Sequence, residues 1–214
     1  AWKDFKFKLT DRPWDYEMRR LFFSWTPDIT REPFRPWIEV ASREKTAGHM
    51  QNCDLWVASD GLVHLLWRDR SLDERLRPTF FPNEKLTHGV HYAALRDGKV
   101  VTRRTIAEGG EGISGELPEW GRFHVTADGR LFAIVVVLGK DASGNKLAEN
   151  RLVEIGADGA ISPATRIELK HPFVSFFFTA TPRAGSPPSD TLELFGECDG
   201  HPQIMRYARI KIEN

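Results

Sequence analysis

Short runs of alternating apolar and polar residues cover most of the chain, with turn signals between them. This two-residue period predicts strands at 20–25, 37–41, 54–58, 62–67, 91–96, 100–106 and 122–126. It predicts further strands at 131–138, 151–155, 161–169, 174–180, 191–196 and 203–212. A helical period shows only weakly, around 71–76.

Four Asp-Gly pairs punctuate these runs: Asp60-Gly61, Asp97-Gly98, Asp128-Gly129 and Asp158-Gly159. Asp-Gly supplies the positive φ angles of a tight hairpin turn at little steric cost. With the earlier turn at Pro27-Asp28, equivalent turns recur every 61 to 69 residues or so. Four strands per repeat at that period predict an all-β chain built as a β-propeller of four-stranded antiparallel blades. The approximate blades are 1–42 (incomplete), 43–107, 108–170 and 171–214, about three and a half in all. Propellers close with roughly four to eight blades. Either "FKFKLT" near the start completes the last blade of a small ring, or the chain is part of a larger six- or seven-bladed ring. The second is the expectation, because the first repeat lacks two inner strands and an open ring exposes blade faces.

Tight Asp-Gly turns then occupy one end of the sheets and long connections the other. The long connections are 42–52, 68–88, 107–121 and 139–150, and long loops on a rigid scaffold are where binding residues concentrate. The connection at 182–190 is a long one on the opposite end. The loop 68–88 carries Arg68, Arg70, Arg75, Arg77, Lys85 and His88 beside Phe80 and Phe81. Arginine grips a carboxylate through a planar fork, so this set suits an acidic ligand. The bland alternative is that Arg70, Asp73, Glu74 and Arg77 form the solvated face of a short helix. Arg68, at a strand end, is the stronger candidate. Innermost strands place Asn52, Asp54, Arg122, His124 and Ser175 at the channel mouth, although such groups also serve to satisfy neighbouring backbone. His49 and His171 lie on connections facing the same mouth, whereas His64 sits in mid-strand among apolar residues.

The stretch "KLTHGVHYAAL" holds His88, His91 and Tyr92. Strand parity puts His91 and Tyr92 on opposite sides and gives His88 the side of Tyr92. Two histidines so arranged do not chelate one metal ion, and no metal or cofactor is expected.

Composition excludes several classes. Thirty basic side chains balance thirty acidic ones, which gives no bulk attraction for nucleic acid. The longest apolar run, 131–138, falls short of a membrane span. Cys53 and Cys198 are isolated and read as buried thiols. G-x-S-x-G, H-E-x-x-H and Walker motifs are absent. The chain opens on Ala without a signal-peptide pattern, which suits a processed or excised product and leaves localisation unread.

At "VASDGLVHLLWRD" and "VTADGRLFAIVVV" the chain resembles the sialidase-like, BNR-repeat β-propellers, in which a strand–Asp–x–Gly hairpin recurs from blade to blade. "SDGLVHLLW" meets the Asp-box spacing Ser-x-Asp-x-Gly-x-x-Trp only in part. The resemblance implies a secreted or periplasmic protein acting on an acidic, uronate- or sialate-type glycan, as lyase or hydrolase. A Tyr/Glu plus Asp set for a retaining glycosidase is not evident, and the residues fit the lyase set better. In that set His88 is the base, Tyr92 the acid and an arginine the carboxylate clamp, with His124 a further catalytic candidate. Arg68, Arg122, Asp54, His49 and His171 are the substrate-contact candidates. The expected partners are an acidic carbohydrate and a second chain or copy that completes the ring. A non-catalytic glycan-binding propeller and a protein-interaction scaffold are the alternatives, since fold alone does not choose.

Overall fold

The computed structural model describes residues 1–12, 17–179, 186–198 and 201–213. The predicted connection at 182–190 therefore lies partly outside the described residues. Thirteen strands form four antiparallel sheets among the described residues. The first sheet pairs β1 (Arg20–Phe23) with β2 (Ile38–Ser42). The second holds β3 (Ala47–Val57), β4 (Val63–Leu72), β5 (Thr87–Arg96) and β6 (Lys99–Gly110), paired in chain order. The third repeats that order with β7 (Glu116–Val125), β8 (Leu131–Lys140), β9 (Lys146–Ile155) and β10 (Thr165–Ile167). The fourth contains β11 (Phe173–Thr179), β12 (Thr191–Cys198) and β13 (His201–Lys211).

Alternation places apolar side chains on both faces of the inner sheets, so each is buried on two sides. Leu65, Trp67, Ala93 and Leu95 pack toward Phe23 and Val40 of the first sheet. Their strand neighbours Leu66, Tyr92 and Ala94 pack toward Phe123, Ala133 and Val135 of the third. Phe132, Ile134 and Val136 in turn meet Leu192, Leu194 and Phe173 of the fourth. Burying both faces explains why the longest apolar run, in β8, lacks a polar side.

Side chains also tie the leading strands of successive sheets. The backbone N–H of Phe123 in β7 donates to Asp54 Oδ2 of β3 at 2.9 Å. Its carbonyl accepts from Thr179 Oγ1 of β11 at 3.1 Å. One residue thus has its buried backbone groups satisfied from both neighbouring sheets, where leaving them unpaired would be costly.

The Asp-Gly turns gather at one end of the second and third sheets. Asp97 and Gly98 both take positive φ, 51° and 72°, as a two-residue hairpin requires. The other three share a five-residue loop closed by Ala58–Leu62, Thr126–Arg130 and Gly156–Ala160 backbone bonds, with glycine at positive φ in each.

Two expectations, the helix at 71–76 and the bounds of the long connections, are corrected. The alternative in which "FKFKLT" completes a last blade also fails, since this segment is part of helix α1 (Trp2–Thr10). Its Lys-Phe alternation mimics a strand, yet the inward positions are Trp2, Lys6 and Thr10, four apart on one helix face. Lys6 is buried because it pairs with Asp73 at 3.1 Å. The weak helix expected at 71–76 is displaced to α2 (Arg77–Phe80), and Ser71 and Leu72 belong to β4. The long connections shrink to 43–46, 73–86, 111–115 and 141–145, because the strands continue into the polar stretches.

Candidate functional site

The extended strand ends build a crevice of about 260 Å³ at the end of the sheets opposite the Asp-Gly turns, lined by Glu17, His49, Arg68, Asp69, Arg70, His88 and Glu119. Strand register sets its floor. Arg70 of β4 lies opposite His49 of β3 and His88 of β5, giving a row His49–Arg70–His88 across three strands. The next row inward is Gln51–Arg68–Val90. Rows two residues apart share a sheet face, here the face toward the third sheet.

The wall comes from β7. A register shift between Pro118 and Gly121 adds a residue there, and such bulges re-aim side chains. It presents Glu119 to the crevice and sets Trp120 under the Arg68 guanidinium, 4.4 Å from the ring centre. A Cβ at position 121 would lie 2.6 Å from Leu66 Cδ2, so any other residue there must displace the Leu66 side chain.

The ionic groups form an uneven network. Arg68 binds the Glu119 carboxylate and donates to Gln51 Oε1 at 3.1 Å. His88 Nδ1 stands 3.2 Å from the other Glu119 oxygen. His49 Nδ1 lies 2.7 Å from Glu17 Oε2, and Arg75 approaches the other Glu17 oxygen at 3.6 Å. Arg70 forms no hydrogen bond or ion pair among the described residues, and its Nε is buried without a partner. Burial, reinforced by the positive charges of Arg70 and Arg68, holds the His88 pKa below the usual imidazole value. His88 is therefore a neutral imidazole at neutral pH.

The opposite face of the same strands is also charged. Asp69 accepts from Arg43 at 2.9 and 3.1 Å, and His91 Nε2 comes within 3.2 Å while its ring stacks on Trp67. Burial raises the Asp69 pKa, but His91 and Arg43 together hold it below the usual carboxylate value.

The crevice gathers three sequence candidates: His49, Arg68 and His88. The others lie elsewhere. Tyr92 shares the face of His88 but sits two rows inward, 2% exposed, with its hydroxyl 2.9 Å from His64 Nδ1. Asp54 is engaged by the Phe123 and Leu55 backbone N–H groups. His124 is buried against the Ser189 carbonyl, 2.7 Å from Nε2. Arg122 is buried two residues before it. His171 lines a separate hollow with Phe173, Ile204 and Tyr207. Sequence reasoning missed Glu17, Gln51 and Glu119 as site residues and placed Arg70 in a loop, with a short helix as the alternative, where the structure has it in β4. The alternation of Arg68 with Arg70, and of His49 with Gln51, is the signal that the strands continue.

Among the described residues no group of three or more His, Cys, Asp or Glu side chains is placed to hold a metal ion. Nor is any described helix long and apolar enough to cross a membrane. Comparison with family models, curated proteins and solved structures yields no match for this chain.

Proposed function

We propose that the four stacked sheets are consecutive blades of a β-propeller, part of a larger ring, and that the crevice binds the carboxylate of an acidic sugar. The leading strands β3, β7 and β11 joined through Phe123 support the propeller reading. So do the outward faces of the end sheets, where Phe22, Trp37, Phe195 and Tyr207 are exposed. An experimental structure in which these three strands do not surround one axis would reject it.

One observation carries the binding reading: Arg70, a guanidinium without a partner among the described residues, at the centre of a row flanked by two imidazoles. A buried donor left unsatisfied is costly, so an anion bound there gains a hydrogen bond that neighbouring side chains do not supply. Glu119 and Gln51 beside it offer acceptors to hydroxyl groups, and Glu17 adds a second carboxylate. Two carboxylates would repel a phosphate dianion more strongly than a singly charged, hydroxyl-bearing sugar acid. Calorimetric titration with oligogalacturonate, a sialyl oligosaccharide and a neutral oligosaccharide tests this. Only acidic sugars should bind. Arg70→Ala should weaken binding at least about tenfold, and Arg70→Lys should restore it in part, since lysine lacks the fork. Equal binding by Arg70→Ala and the parent, or no binding of either acidic sugar, would reject the reading.

A second reading, β-elimination at a uronate, is favoured by the His88–Glu119 contact and the lowered His88 pKa, which supply a neutral base. Tyr92 is not its acid, being bonded to His64 inside the core. Release of an unsaturated uronate by the parent, and its loss in His88→Ala, is the measurement that separates catalysis from binding.

A further inference from the structure

We infer that Glu17 is a built-in occupant of the crevice, an internal carboxylate with which an acidic ligand must compete. The inference rests on the reading of the crevice as a carboxylate site. Glu17 belongs to the segment before β1, outside the sheet that forms the floor. That segment is fastened along β3, an edge strand of its sheet. Met50 N–H donates to the Met18 carbonyl and Arg43 N–H to the Arg19 carbonyl, both at 2.7 Å. Helix α1 anchors the chain further upstream through Lys6–Asp73 at 3.1 Å and Lys3–Glu44 at 2.6 Å. The strap thereby holds the Glu17 carboxylate on His49, the first member of the row.

Neutralising Arg75 does not account for this placement. Arg75 already grips Asp73 through two hydrogen bonds, 2.9 and 2.7 Å, and stands 3.6 Å from Glu17. Glu17 reaches His49 and makes no pair with Arg70. A ligand carboxylate on Arg70 would thus sit one strand away from Glu17, about 5 to 7 Å on general sheet geometry. Like charges at that distance lie inside a Debye length, so Glu17 must either surrender His49 or repel the ligand. Glu17 then sets how strongly the crevice holds an acidic ligand.

The test compares the parent with Glu17→Gln, which keeps the shape and the backbone strap, by calorimetric titration with trigalacturonate. Glu17→Gln should bind about tenfold more tightly at low salt, and the gain should shrink as salt rises. Saturating ligand should also speed hydrogen exchange at the Met50 and Arg43 amides of the parent, as the strap loosens. Equal or weaker binding by Glu17→Gln, with a parent that binds and an Arg70→Ala that does not, overturns the role of Glu17 and leaves the site standing. Absence of binding in both parent and Glu17→Gln overturns the site, and this inference with it.

Discussion

Lys6→Met breaks the contact that docks α1 onto the connection between β4 and β5, and its cost follows from burial. The two side chains are 8% and 3% exposed, and Nζ lies 3.1 Å from Asp73 Oδ2. Removing one partner of a buried pair leaves the other charged and desolvated, which typically costs about 3–5 kcal/mol. Asp73 retains two hydrogen bonds from the Arg75 guanidinium and one from its backbone N–H, so the lower part of that range applies. A loss of about 3 kcal/mol lowers the melting temperature of a chain this size by roughly 6–12 °C. The loss is capped by the docking energy of α1, because a helix that detaches before the sheets unfold ceases to contribute. Calorimetry should therefore be combined with hydrogen exchange at the α1 amides and a double-mutant cycle with Asp73→Leu.

The same pair has a pH signature. Burial opposes ionisation of Asp73, yet Arg75 and Lys6 hold its pKa well below the usual carboxylate range. A carboxylate whose folded pKa is depressed stabilises fully above its unfolded value, about 3.9. That contribution declines as pH falls below the unfolded value toward the folded one. Lys6→Met should flatten this acid limb. A melting temperature within about 1 °C of the parent, with a coupling energy below about 0.5 kcal/mol in the cycle, would refute the docked pair.

The buried His64–Tyr92 contact predicts a second pH window. Burial lowers the His64 pKa to about 4, so the unfolded chain binds the extra proton first as pH falls below about 6.5. Stability should decline from there down to about pH 4, by no more than about 3 kcal/mol, and urea midpoints of His64→Phe should lack that slope. Tyr92→Phe should cost about 1–3 kcal/mol by leaving His64 Nδ1 without its partner; an unchanged midpoint would count against the contact. The two glycines of matched turns should separate backbone strain from packing. Gly129→Ala meets open space at φ +87° and should cost about 1–2 kcal/mol. Gly159→Ala, whose Cβ would lie 2.5 Å from Thr102 Cγ2, should cost more, and equal urea midpoints for the two would refute the distinction.

The strand cores and Asp-Gly hairpins were legible because both are local: alternation marks a two-sided strand, and positive φ at a turn favours Asp-Gly. What stayed hidden depends on pairing between distant residues. Arg68–His88 reads as a loop until Arg68 and His88 acquire partners from β3 and β7. The Lys6–Asp73 pair joins residues 67 apart, which no local pattern announces. Parity correctly assigns His88 and Tyr92 to one face, but a face is not a site. Four residues along a strand is about 13 Å, which separates a polar rim from an apolar interior. Which residues share a row depends on register, and register here depends on bulges at Asn52/Asp54, Val90/His91 and Pro118/Gly121. A bulge leaves little trace in alternation, so the row His49–Arg70–His88 emerges only once the strands are paired. Catalytic assignments drawn from neighbours in sequence, such as His88 with Tyr92, should give way to neighbours across strands, which put His88 beside Arg70 and Glu119.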